Sequence, residues 1–301
     1  TVMAPHRYDQ RDITEAFGAL VTPDARDRAV LERFHAATGV QQRHLALPLE
    51  AYERLAGFEA ANEQFLATAV DLGRRCVDTV LAASGLTPGD VDLIVSTTVT
   101  GLAAPSIDAR LVDLVGLPHD VRRIPMFGLG CVAGVAGVAR VADYLVGHPD
   151  DVAVLLSVEL CSLTVQRDDA STANLVASGL FGDGAAAVVM VGERRARRLG
   201  LPGPAVVASR SRFFPDTERV MGWDIGGTGF RIVLAPTVAD LVETHLGEDM
   251  KRFLADHGLD ISEVTRWVAH SGGPKVLEAV QRSLELDDDA LGVTWASLRD
   301  V

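Results

Sequence analysis

Cysteine is scarce in this chain, with 3 among 301 residues: Cys76, Cys131 and Cys161. Three unevenly placed thiols cannot form a disulfide framework, and they fit a reducing, cytoplasmic setting. Long apolar runs are lacking too. Each is broken by glycine, charge or turn residues, so none reads as a membrane span and no membrane insertion is expected. Basic charge is in deficit, with 28 Lys and Arg against 41 Asp and Glu, a net charge of −13. That balance excludes nucleic acid as a partner, which would need a basic face. It still leaves room for a local patch that binds phosphate. Zinc-ligand spacing, a P-loop and a dinucleotide fingerprint are absent. The opening Thr1-Val2-Met3-Ala4-Pro5 has neither a secretory pattern nor an initiator methionine, so a tail is expected to precede it.

What is present is core material: 48% of residues are hydrophobic, enough for two domains or two halves of one. Apolar strands alternate with amphipathic helices, which is an α/β pattern. Apolar or small residues at Leu66, Ala69, Val70, Gly73, Cys76, Val77, Val80 and Leu81 lie on one face of a helix over 63–84. Strands are predicted at 91–95, 123–126, 152–158, 185–191, 205–210, 230–234 and 267–270. Further helices are predicted at 106–115, 132–146, 237–257 and 274–284.

One internal echo organises these elements. The segment Gly85 to Val95 aligns without gaps on Gly258 to Val268. Each copy follows a long amphipathic helix. A repeat at that long period predicts two similar α/β halves and not a solenoid, whose units run about 20–50 residues. The halves are placed at 1–200 and 201–301, the second apparently incomplete.

Two residues stand out chemically. Cys131 follows Phe127-Gly128-Leu129-Gly130 and opens a helix of small residues. A helix N-terminus favours a thiolate, the nucleophilic form of cysteine. A buried structural cysteine is the alternative. His270 closes the second copy's strand, ahead of Ser271-Gly272-Gly273-Pro274-Lys275, where α/β folds place ligands. A hydrogen-bonded structural histidine is the alternative there. Together the two residues would make an activated nucleophile with its own acid–base group. The other seven histidines are placed in loops, termini or polar helix faces.

Four motifs in order resemble the type III polyketide synthases, the chalcone-synthase-like branch of the thiolase superfamily. They are the Gly-Leu-Gly-Cys131 turn, Ser157-Val158-Glu159-Leu160-Cys161-Ser162, Gly179-Leu180-Phe181-Gly182-Asp183-Gly184, and His270-Ser271-Gly272-Gly273-Pro274. Pro5-His6-Arg7-Tyr8, Met221-Gly222-Trp223-Asp224 and Trp295-Ala296-Ser297-Leu298 make it similar to bacterial alkylpyrone and alkylresorcinol synthases. The resemblance implies a thiolase-like, five-layered αβαβα fold and a homodimer. It implies an acyltransferase that joins a long-chain acyl-CoA starter to malonyl-CoA by decarboxylative condensation, then cyclises the product. Coenzyme A thioesters would be the substrates, with no bound cofactor and no metal.

Residue by residue, the resemblance implies Cys131 as acyl carrier and His270 as its partner. It implies a pocket lined by Val99, Thr100, Cys161, Thr164, Ala177, Phe181 and Ile232, with Phe181 at the passage into the cavity. Arg33 and Lys275, with Arg43 as a further candidate, are the cations implied for the phosphates of coenzyme A. The family's catalytic asparagine is expected just beyond Val301, since neither Asn62 nor Asn174 substitutes for it. Two other functions remain open: a ketoacyl synthase III-like enzyme using a carrier-protein extender, and a non-catalytic acyl-CoA-binding scaffold of the same fold.

Overall fold

The computed structural model describes residues 1–22, 24–167 and 169–300, with the backbone alone at Ala25. Val301, the expected end of the second half, lies outside the described residues. In chain order the elements begin with β1 (Val2–Met3), β2 (His6–Asp9), α1 (Gln10–Val21), α2 (Ala25–Ala37) and β3 (Gln42–Leu45). There follow α3 (Leu49–Tyr52), α4 (Gly57–Ser84), β4 (Leu93–Thr98), α5 (Ile107–Val115), β5 (Arg122–Phe127) and α6 (Ala133–Gly147). Next come β6 (Val152–Leu160), α7 (Thr172–Leu180), β7 (Asp183–Val191) and α8 (Glu193–Leu199). The chain continues through β8 (Met221–Gly226), β9 (Gly229–Leu234), α9 (Val238–Ala255), α10 (Pro274–Leu284) and α11 (Gly292–Arg299).

These elements group into two units that interleave along the chain. One comprises Thr1–His6, His44–Thr164 and Gly182–Ser211; the other comprises Arg7–Arg43, Val165–Phe181 and Arg212–Val301.

The first unit is built on a five-stranded mixed sheet of order β1-β7-β6-β4-β5. β4 is parallel to both β5 and β6, whereas β7 runs antiparallel to β6. Leu93, Ile94 and Val95 are each at most 1% exposed, because both faces of the strand are covered; an unbroken apolar run is the sequence consequence. β6 shows which helix covers which face. A Cβ built at Gly73 of α4 would sit 3.1 Å from Leu156, and one at Gly137 of α6 would sit 2.6 Å from Leu155. Successive strand residues point to opposite faces, so α4 and α6 sandwich the sheet. Glycine at 137 lets α6 press directly onto Leu155.

The α6 region corrects the reading that no stretch could cross a bilayer. Gly130–Gly147 has a mean hydropathy of 1.3 over 18 residues, which is long and apolar enough by length and composition alone. Part of it packs on β4 and β6, with Val141 and Leu145 against Val95 and Leu155, while Val132, Val135 and Val146 are exposed.

In the second unit α7 packs against α1, α2 and β9, and α9 packs against α10. Val40, Leu180, Leu277, Leu291 and Leu298 form a buried cluster with Phe181, Trp267 and Trp295 against it.

The echo in the sequence is an echo in structure. Gly85 and Gly258 end their helices in the left-handed conformation, at φ 68° and 70°. Leu86 N then donates to Leu81 O at 3.1 Å, and Leu259 N to Leu254 O at 3.0 Å. Each copy continues into a short turn closed by a capping box, Thr87 with Asp90 and Asp260 with Glu263. Such boxes satisfy two backbone donors reciprocally. The copies diverge afterwards. The first enters β4, which has ladder partners on both sides; the second does not form the strand expected at 267–270. Its burial still alternates, with Trp267 and Ala269 packed into the cluster and Val268 88% exposed. The chain is thus in strand-like alternation, and among the described residues none completes a ladder with it. The strand expected at 205–210 is likewise absent: residues 201–214 carry no regular element and are mostly exposed.

Candidate active site

β5 delivers the chain to Cys131 through two glycines that must adopt positive φ, Gly128 at 93° and Gly130 at 55°. A side chain at either would be strained. Cys131 itself lies in a short 3-10 turn, Gly130–Val132, immediately before α6. The residue is exposed. Its thiol pKa is nevertheless raised, first by partial desolvation and then by the charge of Glu159, against a lowering contribution from its own backbone amide. This corrects the expectation that the helix end alone would favour a thiolate: a nearby carboxylate and desolvation outweigh it.

Glu159 is the neighbour that sequence reasoning overlooked. It sits near the end of β6, where burial pushes its pKa up to about 7 against several hydrogen bonds that lower it. Val99 N donates to Oε1 at 3.0 Å, and the Thr100 hydroxyl donates to Oε2 at 2.7 Å. The Thr98 hydroxyl approaches Oε2 at 3.4 Å. Val99 and Thr100, both buried, are thereby pinned to the carboxylate beside Cys131. Gly101 follows with no room for a side chain, since a Cβ there would fall 2.0 Å from the Phe65 ring.

A second carboxylate, Asp183, is buried and orders the turn that carries Cys161 and Thr164. It accepts from Ser162 N at 2.8 Å and Ala46 N at 2.7 Å, and from the Ser162 hydroxyl. Thr164 is buried and donates to Cys161 O at 2.7 Å, while Cys161 is half-buried.

The remaining candidates lie in the second unit. His270 precedes a tight turn in which Gly272 N donates to His270 O at 2.9 Å. The Gly272 backbone is flush with the imidazole, because a Cβ there would sit 3.2 Å from Cδ2. His270 is exposed, and partial desolvation lowers its pKa, favouring the neutral ring. Gly273, at φ 119°, lies against Leu180 at the end of α7 and leads into Pro274, the first residue of α10. Ala177 lies on α7 and Phe181 ends it, both half-buried. Ile232 is buried on β9 opposite Trp223.

Of the proposed phosphate-binding cations, Arg33 and Lys275 are exposed. Arg43 is not: at 1% exposure it cannot meet a phosphate at a surface, and its guanidinium is spent on backbone carbonyls. His35 is also unlike its expected setting, since it is buried on α2 and not on a polar face. Asn62 and Asn174 are both committed to backbone, the former to Leu102 and the latter to Gln166 O and Asp169 O. Among the described residues no group of three or more His, Cys, Asp or Glu is placed to hold a metal ion.

Comparison with known proteins gives this geometry a family. The model of the FAE1/type III polyketide synthase-like proteins matches residues 49–200, and that of the C-terminal domain of chalcone and stilbene synthases matches 205–301. A 1,3,6,8-tetrahydroxynaphthalene synthase of Streptomyces peucetius subsp. caesius is 53% identical over the whole chain, which spans 79% of that protein. The chain belongs to the type III polyketide synthases.

A putative chalcone synthase of Bacillus subtilis is 33% identical to this synthase over 86% of the chain and 73% of its own length. The crystal structure of the tetrahydroxynaphthalene synthase of Streptomyces coelicolor superposes with a TM-score of 0.91 at 30% identity. That match covers 99% of this synthase and 83% of the other chain. The fold is accordingly thiolase-like. The protein is a decarboxylating condensing acyltransferase that works on coenzyme A thioesters without a bound cofactor. The similar synthases from both Streptomyces are named for a naphthalene, not for the alkylpyrones or alkylresorcinols that the shorter motifs suggested.

Proposed function

We propose that this synthase builds a polyhydroxylated aromatic of the tetrahydroxynaphthalene class from malonyl-CoA, with Cys131 as acyl carrier and His270 as its acid–base partner. The observation that carries the reading is the 53% identity, over the whole chain and 79% of the relative, with a synthase named for that product. Carbon arithmetic agrees. Ten ring carbons and four oxygens require five malonyl units, losing five CO2, five coenzyme A and one water.

Each cycle can be written from the residues. His270 accepts the Cys131 proton, so that the thiolate forms as an ion pair. The thiolate attacks the thioester carbonyl of the substrate, the C–S bond to coenzyme A breaks, and coenzyme A leaves as its thiol with the proton returned by His270. Malonyl-CoA loses CO2, and the electrons of that C–C bond become an enolate. The enolate carbon attacks the acyl-Cys131 carbonyl; the C–S bond breaks and the thiolate is restored. Donors aimed at the enolate oxygen typically contribute a few kcal/mol to such steps, a role assigned here to His270.

Val99, Thr100, Cys161, Thr164, Ala177, Phe181 and Ile232 are proposed to line the pocket, and Arg33 and Lys275 to receive the coenzyme A phosphates. The division at 1–200 and 201–301 into thiolase-like halves belongs to the same proposal, supported by the paired capping boxes. So do a cytoplasmic location and a homodimer. β5 is a strand edge with Ile124 and Phe127 exposed, and Leu129, Val132 and Val135 extend the apolar surface. A second copy of the chain is the proposed cover for it.

The small side chains Cys161 and Ala177 favour one second reading, a long-chain acyl starter cyclised to an alkylpyrone or alkylresorcinol. The test is product analysis by mass spectrometry after incubation with malonyl-CoA alone and with a long-chain acyl-CoA added. A tetrahydroxynaphthalene from malonyl-CoA alone supports the first reading. Products formed only with the acyl starter, and carrying its chain, replace it with the second.

A further inference from the structure

We propose that Arg43 is a positioning residue for Phe181, holding the end of α7 so that the aromatic ring keeps its place at the passage. The proposal rests on the reading of Phe181 as a passage residue.

Helix α7 ends without the usual devices. It has no left-handed glycine cap and no basic residue in its last turn, and Phe181 leaves it in an extended conformation at φ −88° and ψ 133°. The last carbonyls of a helix need partners, and a cation is favoured there by the helix dipole. Here the partners come from elsewhere in the second unit. Arg43, from β3, donates through Nη1 to Ser178 O and through Nη2 to Phe181 O. Gln10, from α1, donates through Nε2 to Gly179 O at 2.7 Å. Three terminal carbonyls are thus held by two buried side chains, and one of them belongs to Phe181 itself.

The surroundings fix the clamp in turn. The guanidinium lies over the Phe17 ring at 5.9 Å. His35 meets the Ser178 hydroxyl at 3.1 Å and the Thr14 hydroxyl at 2.9 Å. Gly179 cannot carry a side chain, because a Cβ would fall 2.3 Å from His35 Cδ2. Arginine suits this role and lysine does not. A planar fork reaches two carbonyls at once, whereas an ammonium is a single point on a flexible stem. Burying a cation is expensive, and its use at this helix end ties the expense to the residue that starts the next segment.

The test is steady-state kinetics with malonyl-CoA and product analysis on the wild type, Arg43→Lys, Phe181→Ala and the double variant. Arg43→Lys is expected to lower kcat/KM about tenfold, since small misplacements near a reacting substrate carry large rate costs. Its effect should be largely absent in the Phe181→Ala background, because the residue then has nothing to position. An equal loss from Arg43→Lys in both backgrounds overturns the proposal and leaves Arg43 a purely structural residue. If Phe181→Ala alone changes neither KM nor products, the passage reading itself has failed, which is a distinct result. Should Arg43→Lys not fold, Gln10→Ala removes only the Gly179 bond. It is expected to shift KM in the same direction by less, and an unchanged KM there also overturns the proposal.

Discussion

The hydroxyl of Thr100 stands between the carboxylate of Glu159 and the next residue of β6, donating to Oε2 at 2.7 Å and accepting the Leu160 amide at 2.9 Å. The link closes a loop from β4 to the end of β6 and holds a half-buried acid whose pKa is raised to about 7. Its ordinary value is 4.5, so the folded state prefers the protonated form. The stability contribution is fully present below about pH 4.5 and is lost as pH rises through about 7. The difference across that window is on the order of 3 kcal/mol. Glu159→Gln cannot ionise, and its melting temperature relative to wild type should rise between pH 5 and pH 8. A constant difference across that range contradicts the burial of an ionising group.

The same substitution should act on Cys131. Removing the carboxylate removes one of the two causes that raise the thiol pKa. The midpoint of Cys131 alkylation against pH should therefore move down in Glu159→Gln. Cys76, buried on α4, serves as an internal control that stays slow. Peptide mapping after iodoacetamide treatment separates the two thiols, and an unmoved midpoint contradicts the coupling.

His35 predicts an acid limit. Burial, and then the charge of Arg43, lower its pKa to about 4, so the folded state holds it neutral. That stability is present above about 6.5 and is lost as pH falls through 4. The His35 contribution to unfolding free energy should drop by roughly 3 kcal/mol over this window, opposite in sign to that of Glu159, so the stability difference between wild type and His35→Gln should change between pH 7 and pH 4.5. Urea titrations at the two pH values measure it; an unchanged difference contradicts the assignment.

The small-residue helix predicts two substitutions of opposite sign. At Gly137 a methyl group would meet Leu155 at 2.6 Å, whereas at Gly134 it meets nothing within 4 Å. Gly137→Ala should destabilise by about 1–3 kcal/mol through overpacking. Gly134→Ala should stabilise by about 0.5–1 kcal/mol through its lower backbone entropy in the unfolded chain. Thermal melting of the two variants checks the pair.

The sequence carried most of the first unit's layers because its apolar runs are long and its turns use glycine at positive φ. β4, β6, β7 and α6 fall within a few residues of their predicted spans. The repeat was legible because its glycine and apolar positions align without gaps, and the structure adds that each copy is closed by a capping box, Thr87 with Asp90 and Asp260 with Glu263. The conformation of 267–270, just past the second box, was not legible. A strand exists only where neighbours complete its ladder, and among the described residues this segment has none. Arg43 was misread for a related reason. A basic residue near a predicted coenzyme A entrance looks like a phosphate ligand, and only tertiary packing shows it turned inward to Ser178 and Phe181. Glu159 had a sequence signal that went unused: a lone acid in the apolar strand Val152–Leu160 must find donors or a proton.

The central claim is that Cys131 carries the growing chain, and intact-protein mass spectrometry after incubation with malonyl-CoA tests it most directly, comparing wild type with Cys131→Ala. The account predicts an acyl adduct on the wild type that is absent from the variant, together with loss of all condensation product. An adduct that persists in Cys131→Ala, or product still formed by it at the wild-type rate, contradicts the account.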